Sequence, residues 1–477
     1  MATLVVDTSG ATGSTVTVPF NLDGNATGWI DEATGLPTFP GPSDTLNFDI
    51  SNGVDTYVLD VTTDAFLSAG ETVNIAAGVT VRFSGENLLV VGSPAFSGPG
   101  TLIFDGNVNF LSLTGDLDLP LSVILNGDFI GSNALNITTE LTINASLQMT
   151  YLDLESPSAL VTVNGETVTQ VRMLDGHFHI TGFGTHGSLI DAQAGGRLSV
   201  ENDGRILSDV TGGAGDDIVW GDGIFEDTIA LGGGQDHLTI GGIAESTIVM
   251  EAGDDLLTVH GFTQDTVDLG SGADTLTNTG TILGDVIGGT EADTVINSGV
   301  MFNTDTGTGD DIVHNSGTIN LLSTDAGSDT VTNDDGILTA FNLGTEDDTL
   351  IMAGGLANGT GGAGADSFVF TVGGANLTVF DYEDADIIEI DGALGAGYSV
   401  NVLNPDGSSN GIGLADNSIG NGNSQVLDLL IETFSWGARI TFEQSATGFS
   451  LTQAPTTTIT LYGDDATDFS LSDLVFV

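Results

Sequence analysis

The sequence predicts an all-β fold, a parallel β-solenoid closed by a β-rich C-terminal region. Three observations predict it. Short runs of Val, Ile, Thr, Leu and Phe alternate with polar residues and are punctuated by Gly, Asn and Asp almost everywhere, while helical periodicity is nearly absent. An Asp-centred motif recurs every 18 or 19 residues from Asp217 to Asp366. Proline, which removes a ladder donor, is absent between Pro157 and Pro405.

The segments follow in order. Residues 1–65 are expected to form an N-terminal cap or assembly region, because a solenoid must close its first coil. Pro37, Pro40 and Pro42 mark an irregular loop there, just after Trp29. Residues 66–205 keep the strand–turn rhythm, as in Thr72-Val73-Asn74-Ile75 and Leu141-Thr142-Ile143-Asn144, but lack the Asp motif. A metal-free β-helix is expected for them. Residues 206–392 carry the repeat, and residues 393–477 form the β-rich end.

The repeat aligns on Asp217, Asp236, Asp255, Asp274, Asp293, Asp311, Asp329, Asp348 and Asp366. Two residues after each Asp stands a large apolar residue, from Val219 and Leu238 to Leu350 and Phe368. Gly stands two residues before each Asp except at Glu291 and Glu346, and four before except at Glu251 and Asp325. Alternate glycines permit a tight turn with positive φ. The apolar residue two places on then points inward. A period of 18–19 is expected to hold two strands and two turns. Stacked coils would put the nine carboxylates in a column about 4.8 Å apart along one edge.

Charge decides what that column needs. The chain has 66 acidic residues against five arginines (Arg82, Arg172, Arg197, Arg205 and Arg439) and no lysine, a formal net charge of −61. Five cations cannot neutralise a phosphate backbone or form a polybasic membrane patch, so nucleic acid is excluded as a partner. A mean hydropathy of +0.21 argues against disorder. Stacked like charges repel, and the chain supplies no counter-charge. Carboxylates with turn carbonyls suit Ca2+, a hard cation with oxygen ligands. The competing expectation is a solvated acidic edge whose turn Asp residues accept backbone hydrogen bonds.

Gly212-Gly213-Ala214-Gly215-Asp216-Asp217-Ile218-Val219-Trp220 and Gly361-Gly362-Ala363-Gly364-Ala365-Asp366-Ser367-Phe368-Val369 resemble the nonapeptide of RTX, or haemolysin-type, calcium-binding proteins. Val379-Phe380-Asp381-Tyr382-Glu383-Asp384-Ala385-Asp386-Ile387-Ile388 resembles the stretch that closes such arrays. The resemblance implies a calcium-stapled parallel β-roll, with the nine Asp residues as metal ligands. It departs from the family on one side: the opposite turns, Asp227-Thr228-Ile229 and Asp265-Thr266-Val267, lack the glycines. There Asn278, Asn297, Asn315 and Asn333 recur four residues after the repeat Asp and are expected to form an amide ladder. Glu291 and Glu346 put two calcium sites in doubt.

The start, Met1-Ala2-Thr3-Leu4-Val5-Val6-Asp7, has no positive n-region or long apolar h-region of a Sec-type signal, and no apolar run is long enough to span a membrane, so no membrane insertion is expected. Cysteine is absent, which removes disulfides and thiolate chemistry. The tail, ending Asp473-Leu474-Val475-Phe476-Val477, resembles the uncleaved C-terminal signal of type I secretion substrates; a final strand capping the solenoid is compatible with it. The type I secretion machinery is therefore an expected partner during export.

Catalytic chemistry finds little support. Two of the six histidines, His177 and His179, share a strand face, with His186 nearby, a spacing that could hold zinc; no HExxH or metalloprotease carboxylate accompanies them. His237, His260 and His314 are expected as surface positions. No G-x-S-x-G elbow occurs. Trp29, Trp220 and Trp436 could stack on sugars, but packing is the commoner role. The expectation is a non-enzymatic, secreted, calcium-binding structural protein, extracellular or at the cell surface, that polymerises with itself into an S-layer or filament. The alternatives are a calcium-dependent adhesin that binds a cell-surface polysaccharide, and a β-helical glycan-active enzyme.

Overall fold

The structure, a computed structural model, describes residues 72–390 apart from 86, 92–93, 112–116, 193–195, 372–374 and 384; outside that span it describes the strands alone. No described residue is helical, so none belongs to a helix long and apolar enough to cross a membrane. The chain forms two compact units, Met1–Ser246 and Thr247–Val477, and the division falls inside the repeat segment.

The first unit is a parallel β-solenoid whose coils have three short sides. One coil comprises Ile218–Gly221, Ile224–Phe225 and Ile229–Ala230, each hydrogen-bonded in parallel to the strand one coil earlier: Ser199–Asn202, Arg205–Ile206 and Val210–Thr211. The repeat thus holds three strands and three corners here, where two of each were expected. Two to four residues suffice for a side, so nineteen residues make one coil of three sides. The period of two sends every second residue inward. Val81, Leu102, Val123, Leu141, Val161, Phe178, Val200, Val219 and Leu238 stack in register, each 1% exposed or less. Each such side chain contributes about 1.5–3 kcal/mol by leaving water. Pro157 lies in Tyr151–Val163 where the register slips between Glu155 and Leu160, the kind of irregularity that tolerates a missing donor.

The second unit repeats this architecture. Its first side runs through Leu256–Val259, Thr275–Asn278, Thr294–Asn297, Ile312–Asn315, Thr330–Asn333, Thr349–Met352, Ser367–Phe370 and Ile387–Ile390, all parallel. In several coils the other two sides join into one bent strand, as in Thr281–Thr290, Val300–Thr308, Ile337–Thr345 and Leu356–Ala363. Register shifts at Ile282/Asp285 and Leu338/Phe341 mark the bends, and in these coils the two-strand expectation is met.

The β-rich end predicted after residue 392 returns to the solenoid. Gln425–Phe434, Gly437–Ser445 and Thr456–Tyr462 pair antiparallel, Thr456–Tyr462 pairs in parallel with Asn376–Val379, and Leu474–Phe476 adds to Ile387–Ile390. A strand from the tail therefore covers the edge of the last coil, which an open solenoid would leave unpaired. The proline-rich loop at 37–42, Trp436 and residues 463–473 of the tail lie outside the described residues.

Candidate metal centre at the glycine corner

The repeat Asp immediately precedes the first side of each coil, at the corner where the chain turns in from the third side. By register the same position is Val79, Leu121, Ala159 and Leu198 in four of the earlier coils, each 1% exposed or less, and Gly100, Thr139 and Gly176 in the coils between them. The change from Leu198 to Asp217 therefore puts a carboxylate where the preceding coil packs hydrocarbon. All nine Asp residues are 3% exposed or less, which settles the competing expectation of a solvated edge: the column faces inward.

Within each unit the carboxylate does accept a backbone hydrogen bond from the coil before it. In the first unit Asp217 Oδ1 accepts from the Leu198 N–H at 2.6 Å, and Asp236 Oδ1 from the Asp217 N–H at 2.8 Å. In the second unit the N–H of Asp255 donates to Asp274 at 2.7 Å, and those of Asp274, Asp293, Asp311 and Asp329 donate to Asp293, Asp311, Asp329 and Asp348 at 2.8 Å each. The N–H of Asp348 reaches Asp366 and that of Asp366 reaches Asp386, both at 3.1 Å. Asp386 thus extends the series by one. Its signal was present in the sequence, an Asp two residues before Ile388, but its spacing of 20 from Asp366 broke the period.

The second oxygen is less well served. Oδ2 of Asp274, Asp293, Asp348 and Asp366 is buried and makes no hydrogen bond. A buried carboxylate oxygen without a donor favours a proton or a cation. Burial accordingly pushes Asp274, Asp329 and Asp366 up to about 6, Asp293 to about 7 and Asp348 to about 8. The ladder N–H opposes each rise, and neighbouring carboxylates add to it. Asp217, Asp311 and Asp386 are raised for the same first reason. Arg197 opposes the rise at Asp217, but no Lys or Arg stands between Arg205 and Arg439 in the sequence.

The glycine pattern has a conformational cause. From Gly232 onward both alternate positions take positive φ, for example 100° at Gly270 and 130° at Gly272. A Cβ at Gly272 would also lie 1.8 Å from the Gly253 carbonyl oxygen. Where the glycine is replaced, the backbone keeps the turn: φ is 72° at Glu251, 73° at Glu291, 55° at Asp325 and 79° at Glu346. Glu291 and Glu346 each find compensation. Their Oε2 atoms accept from the N–H of Gly272 and Gly327 one coil earlier, at 3.1 and 3.2 Å, and from the adjacent Thr290 and Thr345 hydroxyls.

A second acidic series, on the outside of the corner, has no counterpart among the sequence expectations. Asp216, Asp254, Asp310 and Asp347 each precede a repeat Asp and are exposed. Their Oδ1 atoms accept from the N–H of Gln235, Ala273, Ser328 and Ala365 one coil later, at 2.8–3.1 Å. Inner and outer carboxylates thus bond the corner in opposite directions along the axis. Each outer acid is followed one coil later by a neutral residue, which avoids stacking like charges.

The other expected features are also placed. Asn278, Asn297, Asn315 and Asn333 form a buried amide ladder, each Nδ2 donating to the next Oδ1 at 2.8 Å. Asn333 closes it by donating to the carbonyls of Gly336 and Gly354. His237, His260 and His314 are exposed, as expected. His177 and His179 share the outer face of Gln170–Ile180, whereas His186 is fully buried against Phe178, and burial lowers it to about 4. The three histidines therefore do not form one cluster. Trp220 stacks on His177, with ring centroids 5.1 Å apart. Arg82, Arg172 and Arg205 pair with Asp105, Asp153 and Glu226, so these cations serve neighbouring coils.

No family model matches the chain, and no curated protein or solved structure matches it either.

Proposed function

We propose that this chain is a secreted calcium-binding structural protein that assembles with itself into an extracellular layer or filament. The carrying observation is the run of desolvated aspartates at the glycine corner, with buried Oδ2 atoms and no Lys or Arg in the intervening sequence. Carboxylates one strand spacing apart, about 4.8 Å, cannot all stay ionised in a dry corner without a cation. Calcium suits them because it takes carboxylate and carbonyl oxygens together, and the left-handed corners are rich in carbonyls. The resemblance to RTX repeats rests on the same residues.

Self-assembly draws support from the second unit. Val300, Ile337 and Leu356 lie in one register column, with Thr318 between the first two, and are exposed; Phe302 on Val300–Thr308 and Leu321 on Thr318–Ser323 are exposed nearby. Apolar side chains exposed in a row favour association. Export through a type I system would deliver the chain to calcium only after it leaves the cell, so that binding and folding become one event.

Negative-stain imaging and light scattering of the purified chain, with and without calcium, test the reading. Regular polymers that appear with calcium and disperse in EDTA are expected. A chain that stays monomeric with calcium across a wide concentration range overturns self-assembly; if it then binds a cell-surface polysaccharide, it is an adhesin.

A further inference from the structure

We infer that His179, Glu201 and Asp203 form a binding site for a zinc-class divalent cation on the outer face of the first unit, separate from the aspartate corner. The sequence showed two histidines on one strand face and no carboxylate to join them. The solenoid supplies the carboxylates from the next coil. His179 is the register partner of Glu201, and Asp203 follows that strand directly. One ligand atom from each of the three residues lies within 4.8 Å of the other two. His179 Nε2 points at Asp203 Oδ2 at 3.4 Å, and its Nδ1 lies 3.9 Å from Glu201 Oε2. The Nε2 atom is shielded from solvent and makes no hydrogen bond.

One ion takes only one imidazole nitrogen, and Nε2, beside Asp203, is the ligand atom of His179. Bonds of 2.0–2.2 Å to zinc put its ligands about 3.4 Å apart, the separation already found between Nε2 and Asp203. Glu201, which faces Nδ1, must swing its carboxylate to the Nε2 side to close the set. Imidazole nitrogen with carboxylate oxygen is a zinc-class donor set, whereas calcium takes oxygen throughout. Three protein ligands leave a fourth position for water or an external group. His177 positions the site. Its Nε2 is 3.2 Å from Glu201 Oε2, its Nδ1 is 3.0 Å from Ser199 Oγ, and its ring lies flat against Trp220. A histidine fixed in this way holds Glu201 toward His179, as outer-shell partners orient metal ligands.

Zinc chloride titrated calorimetrically into the full chain, in buffer holding excess calcium, tests the site. One zinc equivalent is expected to persist over calcium. His179→Ala should weaken it by about 100-fold or more and His177→Ala by about 10-fold, while Asp293→Asn at the corner leaves it unchanged. Cobalt(II) in place of zinc should give visible ligand-field bands and quench Trp220 fluorescence, and Trp220→Phe should remove the quenching but not the bands. Asp203→Asn, at an exposed turn, guards against a folding defect in the histidine variants, with far-UV circular dichroism as the check. Zinc binding that is absent, that survives both His179→Ala and Asp203→Asn, or that is lost in Asp293→Asn overturns the assignment.

Discussion

At the scale of single residues, the fold uses polar side chains where it could have used hydrocarbon. The corner position is Leu198 in one coil and Asp217 in the next, at the same burial. The Asn ladder makes the same exchange, since the column that holds Asn278 to Asn333 continues as Met352 and Phe370. The two series differ in how well they are satisfied. Every ladder Asn has partners for its amide, so Asn297→Ala would strip Asn278 Nδ2 and Asn315 Oδ1 of their closest contacts. A loss of about 1–3 kcal/mol is expected, measurable by urea unfolding. The Asp series carries charge that the interior does not compensate. Asp348→Asn keeps an oxygen for the Asp329 N–H and removes the charge. It should raise the melting temperature in EDTA at pH 8 and shrink the rise produced by calcium. A lower melting temperature in EDTA would mean that the ionised carboxylate costs nothing there.

At the scale of the corner element, charge is distributed with a rule. Inner acids occur in every repeat coil, but the outer acids Asp254, Asp310 and Asp347 are followed one coil on by Ala273, Ser328 and Ala365. Ala273→Asp would set two exposed acids directly above one another. It should lower the melting temperature by a few degrees at low salt, with recovery at 0.5 M NaCl, because exposed like charges repel and salt screens them. The inner series was legible in the sequence because an Asp with glycines two and four residues before it repeats at nearly constant spacing. The outer series was not, because Asp216, Asp254, Asp310 and Asp347 skip coils and so have no fixed period. The left-handed turn at Glu291 was likewise hidden, since a glycine rule cannot see that a glutamate holds the same φ by bonding to Gly272 N–H. The third separate strand of coils such as 218–230 is not legible for a simpler reason: strands as short as Ile224–Phe225 carry no alternation to count. His179 and Glu201 stand far apart in sequence, and only the coil-to-coil register brings them together.

At the scale of the whole molecule, the raised aspartates tie stability to pH and to calcium together. A carboxyl with its folded value raised above the ordinary 3.8 favours the neutral form in the fold. Its contribution is fully present below pH 4 and is lost as pH rises toward the folded value. For Asp274, Asp329 and Asp366 the loss is complete near pH 6, and for Asp293 and Asp348 near pH 7 and 8. A tenfold difference in proton affinity between folded and unfolded chain corresponds to about 1.4 kcal/mol, so several aspartates together can move a melting curve visibly. Without calcium, stability should therefore fall from pH 4 to pH 8. Calcium competes with the proton for the same oxygens, so its benefit must grow over that window. Thermal melts followed by circular dichroism at pH 5 and pH 8, each in EDTA and in calcium, provide the check. A large calcium-induced rise at pH 8 and a small one at pH 5 is the expected outcome. Equal rises at both pH values would place calcium on groups already ionised at pH 5, such as the exposed outer acids, and would leave the inner corner as a proton-holding column rather than a metal centre.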